Sequence, residues 1–231
     1  MIQEAANMKA IAHIHTDFPT KFGIPRQSGL VEDLQGLIIL EPKYRNPAAF
    51  RGLEQFSHVW LLWQFSLAQR EHWSATVKPP RLGGKRMGVF ATRSPFRPNN
   101  IGLSCVKLES VDMDENLGPV VRVSGADLMD NTPIYDIKPY IPLADCHPEA
   151  SEGYTGETKE HRLTVEFPDH LLKRYPQKKQ KAIIGVLAQD PRPAYVQDPQ
   201  RVYGVVFGGF DVRFTVTGQI LKVCDVFPVK P

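Results

Sequence analysis

At 231 residues, with 42% hydrophobic and 23% charged side chains, the chain has enough apolar surface for one large domain or for a body with an appendage. No apolar run reaches the length of a membrane span, and the opening MIQEAANMKA lacks the basic and apolar order of a secretory signal. Cys105, Cys146 and Cys224 are far apart and odd in number, which excludes a disulfide framework and points to a reducing cytoplasm. The net charge of +3 is unevenly placed: residues 1–150 carry 16 Lys/Arg against 16 Asp/Glu, and residues 151–231 carry 12 against 9. A basic appendage on a neutral body suits a polyanion, but its lysine run is equally what a solvated helix face looks like.

Residues 8–18 read as a short strand, followed by a loop that Pro19, Gly23, Pro25 and Gly29 keep irregular. Residues 34–42 are apolar and β-branched and read as a strand. Asn46 before Pro47 marks the cap and first position of one or two helical turns. The run HVWLLWQFSL predicts a core strand in which Trp60 and Trp63 pack. Residues 86–94 and 105–114 read as strands around a proline-stiffened loop, and a strand from 119 leads into a turn rich in Asp, Asn and Pro. This pattern favours a closed or nearly closed β-barrel over residues 1–150. No strand–GxGxxG–helix unit and no Walker-type loop occurs, so the body is non-Rossmann. After a polar linker, residues 151–231 predict a small α+β domain: a strand over 161–167, helices from Pro168 and over 177–190, and two strands within 201–229. At about 80 residues that domain leans on the body or on a second subunit. The fold class is therefore mainly β, a barrel with a small α+β C-terminal domain.

Two constellations carry chemistry. In the first, Pro95 and Pro98 stiffen a loop bearing Arg93, Arg97, Asn99 and Asn100, with Gly102, Leu103 and Ser104 following. Such a loop holds polar side chains at low entropic cost, and Gly102 marks a close approach by a ligand or a neighbouring strand. In the second, which runs from Asp127 to Tyr140, Asp130, Asn131 and Thr132 form a side-chain-stabilised turn before Pro133, and Asp136, Lys138 and Tyr140 share one face of an extended segment. That face serves a polar ligand or holds a simple ion pair. His13, His15, His58 and His147 lack a third ligand at metal spacing, and no GxSxG elbow is present.

With these motifs the chain resembles the YaeB/TsaA-like family of tRNA N6-threonylcarbamoyladenosine methyltransferases, in its bacterial form with an extra C-terminal domain. The resemblance runs through Gly23-Ile24-Pro25-Arg26-Gln27, Phe56-Ser57-His58-Val59-Trp60, residues 88–104, Asp136-Ile137-Lys138-Pro139-Tyr140 and residues 189–195. It implies a small barrel that binds S-adenosylmethionine, a homodimer, and a tRNA substrate carrying threonylcarbamoyladenosine beside the anticodon, with no membrane or DNA partner. The implied cofactor-binding residues are Pro25, Arg26, Gln27, Arg93, Leu103, Asp130, Asn131, Thr132 and Pro133. The family has glycine where this chain has Asn131, a residue that tolerates a left-handed backbone. Asp136 serves as proton acceptor or substrate orienter, with Lys138 and Tyr140 positioning it. Arg97 or Arg192 suits a threonyl carboxylate, while Lys178, Lys179, Lys181 and Tyr195 complete the RNA contact. The rival readings are a non-catalytic RNA-binding adaptor and a small-ligand-binding barrel.

Overall fold

The computed structural model describes residues 8–67, 73–157, 159, 161–193 and 198–229. Six antiparallel strands close a barrel in the order β1-β2-β7-β6-β3-β8. They are β1 (Ala12–Thr16), β2 (Gln35–Leu40), β3 (His58–Gln64), β6 (Ile101–Asp114), β7 (Gly118–Ser124) and β8 (Thr132–Pro139). A small ribbon, β4 (Thr76–Val77) with β5 (Met87–Gly88), stands outside it. In β3, Val59, Leu61 and Trp63 are buried while the residues between them are part-exposed, the period of two expected of a strand with one face inward. Ile14, Ile38, Val106, Val123 and Ile134 meet them in the barrel core.

Between β2 and β3, three short 3-10 turns carry the chain past one end of the barrel. Asn46 caps the second as its sequence predicts: Pro47 opens the turn and the Ala48 amide donates to the Asn46 side chain at 3.0 Å. The strand expected over 86–94 shrinks to Met87–Gly88 and becomes a 3-10 turn over Val89–Ala91. The next strand begins at Ile101, earlier than its sequence suggested, because it pairs with β3 from Gln64↔Ile101 onward.

Beyond the barrel come α1 (Pro142–Asp145), β9 (Thr164–Glu166), α2 (Asp169–Leu172), α3 (Gln177–Ala188), β10 (Tyr203–Phe207), β11 (Phe210–Thr217) and β12 (Ile220–Pro228). Three strands replace the expected two over 201–229. Gly208 and Gly209 both have positive φ, the backbone a tight hairpin turn requires, and they split the first apolar run in half. The sheet order is β10-β11-β12-β9, with β9 parallel to β12. The buried face of α3, Ile183, Val186 and Leu187, covers this sheet.

The second core is shared. Phe18, Val31 and Leu34, from the loop between β1 and β2, are buried in it beside Phe207 and Val205. The Phe18 and Phe207 rings lie 5.1 Å apart. Gly23, at φ 87°, runs so close to β10 that an added Cβ would sit 2.3 Å from a Val205 methyl.

Candidate active site

One wall of the barrel opens into a cavity of about 740 Å³, a volume that suits a cofactor-sized ligand. The loop after β1 contributes Lys21, Ile24, Pro25, Arg26 and Gln27; β3 and its extension give Trp63 to Leu67; the stiff loop gives Thr92, Arg93, Pro95, Phe96, Arg97 and Asn99. Ile101, Gly102 and Leu103 of β6, with Asp127, Met129 and Thr132, close it.

The stiffness of the 92–100 loop comes from local hydrogen bonds as well as its prolines. Thr92 Oγ1 donates to the Val89 carbonyl at 2.9 Å, and the amides of Ser94 and Phe96 donate to the hydroxyls of Thr92 and Ser94. Arg97 donates to the Thr92 carbonyl at 2.8 Å, and Arg93 donates to the Gln27 side-chain carbonyl, tying this loop to the one after β1. Gly102 faces Trp63 across the strand pair, and an added Cβ would lie 2.2 Å from the indole, so the close approach expected there is made by a neighbouring strand.

Asp127 faces the same cavity. Its Oδ1 accepts from Ser104 Oγ at 2.6 Å, and Ser104 in turn accepts from the Trp63 indole N–H at 3.0 Å. Burial lifts this carboxyl above its ordinary range, against the hydrogen bond from Ser104 and the charge of Arg93.

The structure brings Pro25, Arg26, Gln27, Arg93, Leu103, Thr132 and Arg97 together around this space. Asp130, Asn131 and Pro133 stand behind it. Asp130 accepts from the Thr16 amide at 3.0 Å and sits 3.2 Å from His15, and the Asn131 amide donates to the Ile14 carbonyl at 2.8 Å. Asn131 adopts φ 62°, the left-handed backbone a glycine would also take.

Asp136, Lys138 and Tyr140 do share a face, but it is the outer face of the barrel and none of the three lines the cavity. A bulge at Tyr135 resets the alternation, so Ile134 and Ile137 face the core while Asp136 pairs with Leu62 and Lys138 with Trp60. Lys138 meets Asp136 at 2.8 Å, and Tyr140 packs on the rings of Trp60 and His58.

Arg192 is not a free fork: it donates to both oxygens of Asp190, at 2.7 and 3.0 Å. Asp190, nearly buried and with φ 56°, also takes His161 at 3.0 Å and lies 3.7 Å from Arg81, which donates to the Gln189 carbonyl at 2.8 Å. Burial opposes ionisation of Asp190, but the hydrogen bonds from Arg192 and His161 and the charges of Arg192 and Arg81 outweigh it and bring the carboxyl to about 2. This knot fastens the loop between β4 and β5 to the end of α3. Of the lysine run, Lys178 and Lys181 are exposed, whereas Lys179 reaches across to Asp17 at 2.6 Å. Tyr195 lies outside the described residues.

Two family profiles match the chain: the tRNA-methyltransferase O N-terminal domain over residues 13–146 and the TrmO C-terminal domain over 160–229. The chain belongs to the tRNA-methyltransferase O family. This corrects the YaeB/TsaA-like assignment expected from its motifs. The chain is 43% identical over 228 residues to a tRNA (adenine(37)-N6)-methyltransferase of Escherichia coli, covering 94% of this chain and 96% of that one. It is 39% identical to a putative S-adenosylmethionine-dependent methyltransferase RcsF of Pseudomonas aeruginosa, covering 95% and 97%. A solved structure of TrmO from Pseudomonas aeruginosa superposes with a TM-score of 0.77 at 34% identity, covering 96% of this chain and 99% of that one.

Within this TrmO-family chain, sequence reasoning missed three parts of the cavity. Trp63 read as plain core, yet its indole both packs inward and lines the cavity. Gln64 and Phe65 extend the same strand to the rim. Asp127 stood at the edge of a noticed constellation; the usable signal was a carboxylate flanked by the buried residues Ala126 and Leu128. Among the described residues no helix is long and apolar enough to cross a membrane, and no group of three or more His, Cys, Asp or Glu side chains is placed to hold a metal.

Proposed function

We propose that this protein is an S-adenosylmethionine-dependent methyltransferase acting on N6 of adenine 37 in tRNA, in the threonylcarbamoylated form of that base beside the anticodon. The observation that carries this reading is the cavity, where an apolar wall of Phe65, Phe96, Ile101 and Leu103 meets a cationic rim of Lys21, Arg26, Arg93 and Arg97. Flat apolar walls suit a purine, guanidinium forks suit a carboxylate, and the rim attracts a polyanion. The names of its Escherichia coli and Pseudomonas aeruginosa relatives support both the reaction and the cofactor.

S-adenosylmethionine, when bound, supplies a methyl group already activated by its sulfonium. Pro25, Arg26, Gln27, Arg93, Leu103 and Thr132 are the residues proposed to hold it, with Asp130, Asn131 and Pro133 fixing the wall behind Thr132. The Arg93–Gln27 bond keeps the two loops of the site at a fixed spacing, which favours alignment of the reacting groups. Arg97 keeps guanidinium nitrogens free toward the cavity for the threonyl carboxylate. Arg192, held by Asp190, and Tyr195 are proposed to meet the modified base. Asp136, Lys138 and Tyr140 orient the tRNA from outside the barrel, and Lys178 and Lys181 add phosphate contacts. In this proposal residues 1–150 form the methyltransferase domain and residues 151–231 the tRNA-contacting domain. The protein works as a cytoplasmic homodimer, with exposed Ile141 and Leu143 supporting a contact between copies.

Nucleoside mass spectrometry tests the reading. tRNA extracted from cells that make threonylcarbamoyladenosine gains one methyl group on that nucleoside, and the same sequence transcribed in vitro gains none. Equal labelling of both would remove the threonylcarbamoyl requirement. Binding of tRNA with no saturable binding of S-adenosylmethionine would return the chain to an RNA adaptor.

A further inference from the structure

Methyl transfer to N6 leaves one proton to be placed. As the N6–CH3 bond forms and the S–CH3 bond breaks, the sulfonium becomes a neutral thioether. N6 must then lose its hydrogen to end as a neutral amide nitrogen. That nitrogen is a poor nucleophile, because a purine and a carbonyl both draw on its lone pair, so a positioned base has something to accelerate.

Among the described residues lining the cavity, the ionisable side chains are Lys21, Arg26, Arg93, Arg97 and Asp127. Four are cations without a basic lone pair at neutral pH, and no histidine, tyrosine or cysteine is among them. Asp127 is the single carboxylate. It is also oriented. The Trp63 N–H occupies the acceptor side of Ser104, so the Ser104 hydrogen is committed to Asp127 Oδ1. The backbone amides of Ser28 and of Asp127 itself also donate to this carboxylate, so several donors fix its position at the cavity. Burial raises the Asp127 carboxyl, which strengthens it as a base, against the hydrogen bonds from Ser104 and the backbone and the charge of Arg93. Asp136, by contrast, is outside the cavity with one oxygen on Lys138 and the other on the Ile137 amide.

We propose that Asp127 is the proton acceptor of the methyl transfer, its carboxylate taking the N6 hydrogen as the N6–CH3 bond forms. This rests on the methyltransferase reading above, and the experiment separates the two. Single-turnover transfer to threonylcarbamoylated tRNA is followed from pH 5 to 9 for the wild type and for Asp127→Asn. Calorimetric titration with S-adenosylmethionine and circular dichroism are run on both proteins. The expected result is a fall in rate of about 100- to 10,000-fold, with cofactor affinity within about twofold and fold unchanged. The wild-type rate falls at acid pH as Asp127 takes up a proton, and this limb is absent from the variant. Ser104→Ala, which keeps the carboxylate but removes its orienting donor, shifts the acid limb to higher pH; this variant carries the test if Asp127→Asn does not fold. A rate within tenfold of wild type in Asp127→Asn, a loss of rate matched by loss of cofactor binding, or an unmoved acid limb in Ser104→Ala would each overturn the assignment. If the wild type methylates no tRNA, the methyltransferase reading fails instead.

Discussion

The barrel closes mostly on side chains of its own strands, helped by Ala126 and Leu128 from the adjoining β7–β8 loop, whereas the C-terminal sheet takes Phe18, Val31 and Leu34 from the distant loop after β1. The two regions differ in what completes them. A six-stranded barrel has no open edge, and the alternating residues of its strands point into the interior. A four-stranded sheet with one covering helix has a second margin to seal, and here the sealing residues come from the same loop that lines the cavity with Ile24, Pro25, Arg26 and Gln27. Docking of the C-terminal unit and shaping of the site are thus one structural event.

The sharpest way to break this comparison is Phe18→Ala. Phe18 is buried and packs against the tilted ring of Phe207, so its removal should cost about 3–5 kcal/mol. The loss should fall on the C-terminal unit. All three tryptophans, Trp60, Trp63 and Trp73, precede residue 150, so tryptophan fluorescence follows the barrel, while amide exchange in β10 to β12 follows the sheet. Exchange should accelerate in the sheet well before the tryptophan signal moves; a joint shift would show one cooperative unit and end the distinction.

Next in size is Asp190→Asn. Asparagine keeps the left-handed backbone but leaves Arg81 and Arg192 nearly buried without their carboxylate, which should lower stability by about 3 kcal/mol in urea titrations at pH 7. The pH dependence has a definite sign. The folded carboxyl sits at about 2 against an ordinary 3.8, so its contribution is full above 3.8 and disappears as pH falls through about 2. The gap between wild type and variant should close over that window, and a constant gap would mean the knot is held by something other than this charge.

The smallest effect is expected of Lys179→Ala. The Lys179–Asp17 pair joins the two regions at 2.6 Å but is a quarter to a third exposed, so a double-mutant cycle with Asp17→Ala should give at most about 1 kcal/mol. A larger coupling would move the origin of docking from the shared apolar core to electrostatics.

Much of this was legible in the chain itself. Alternation in residues 58–64, the proline-bounded loop at 95–98, the Asn46 cap and the helix over 177–188 all follow from local preference, because strand period, restricted φ and capping act over a few residues. The site was half legible: the loops carrying Arg26, Gln27 and Arg93 announce themselves through proline and glycine, and they do meet in one cavity.

The remainder depended on which distant segments meet. A single extra residue at Tyr135 decides that Asp136 and Lys138 face outward, since a bulge reverses the alternation that a plain strand would keep. Asp127 becomes the cavity's carboxylate only because β6 brings Ser104 beside it and β3 brings Trp63 beside Ser104. Arg192 loses its freedom to Asp190, and Arg81 arrives from 109 residues away to share that charge. Local sequence thus determined the strands, turns, helix and stiff loops, because those energies are set within a turn or two of chain. Which carboxylate faces the cavity, which arginine stays free and which core needs help were decided by barrel closure and domain docking, because burial and charge pairing depend on neighbours that the chain reaches only by folding.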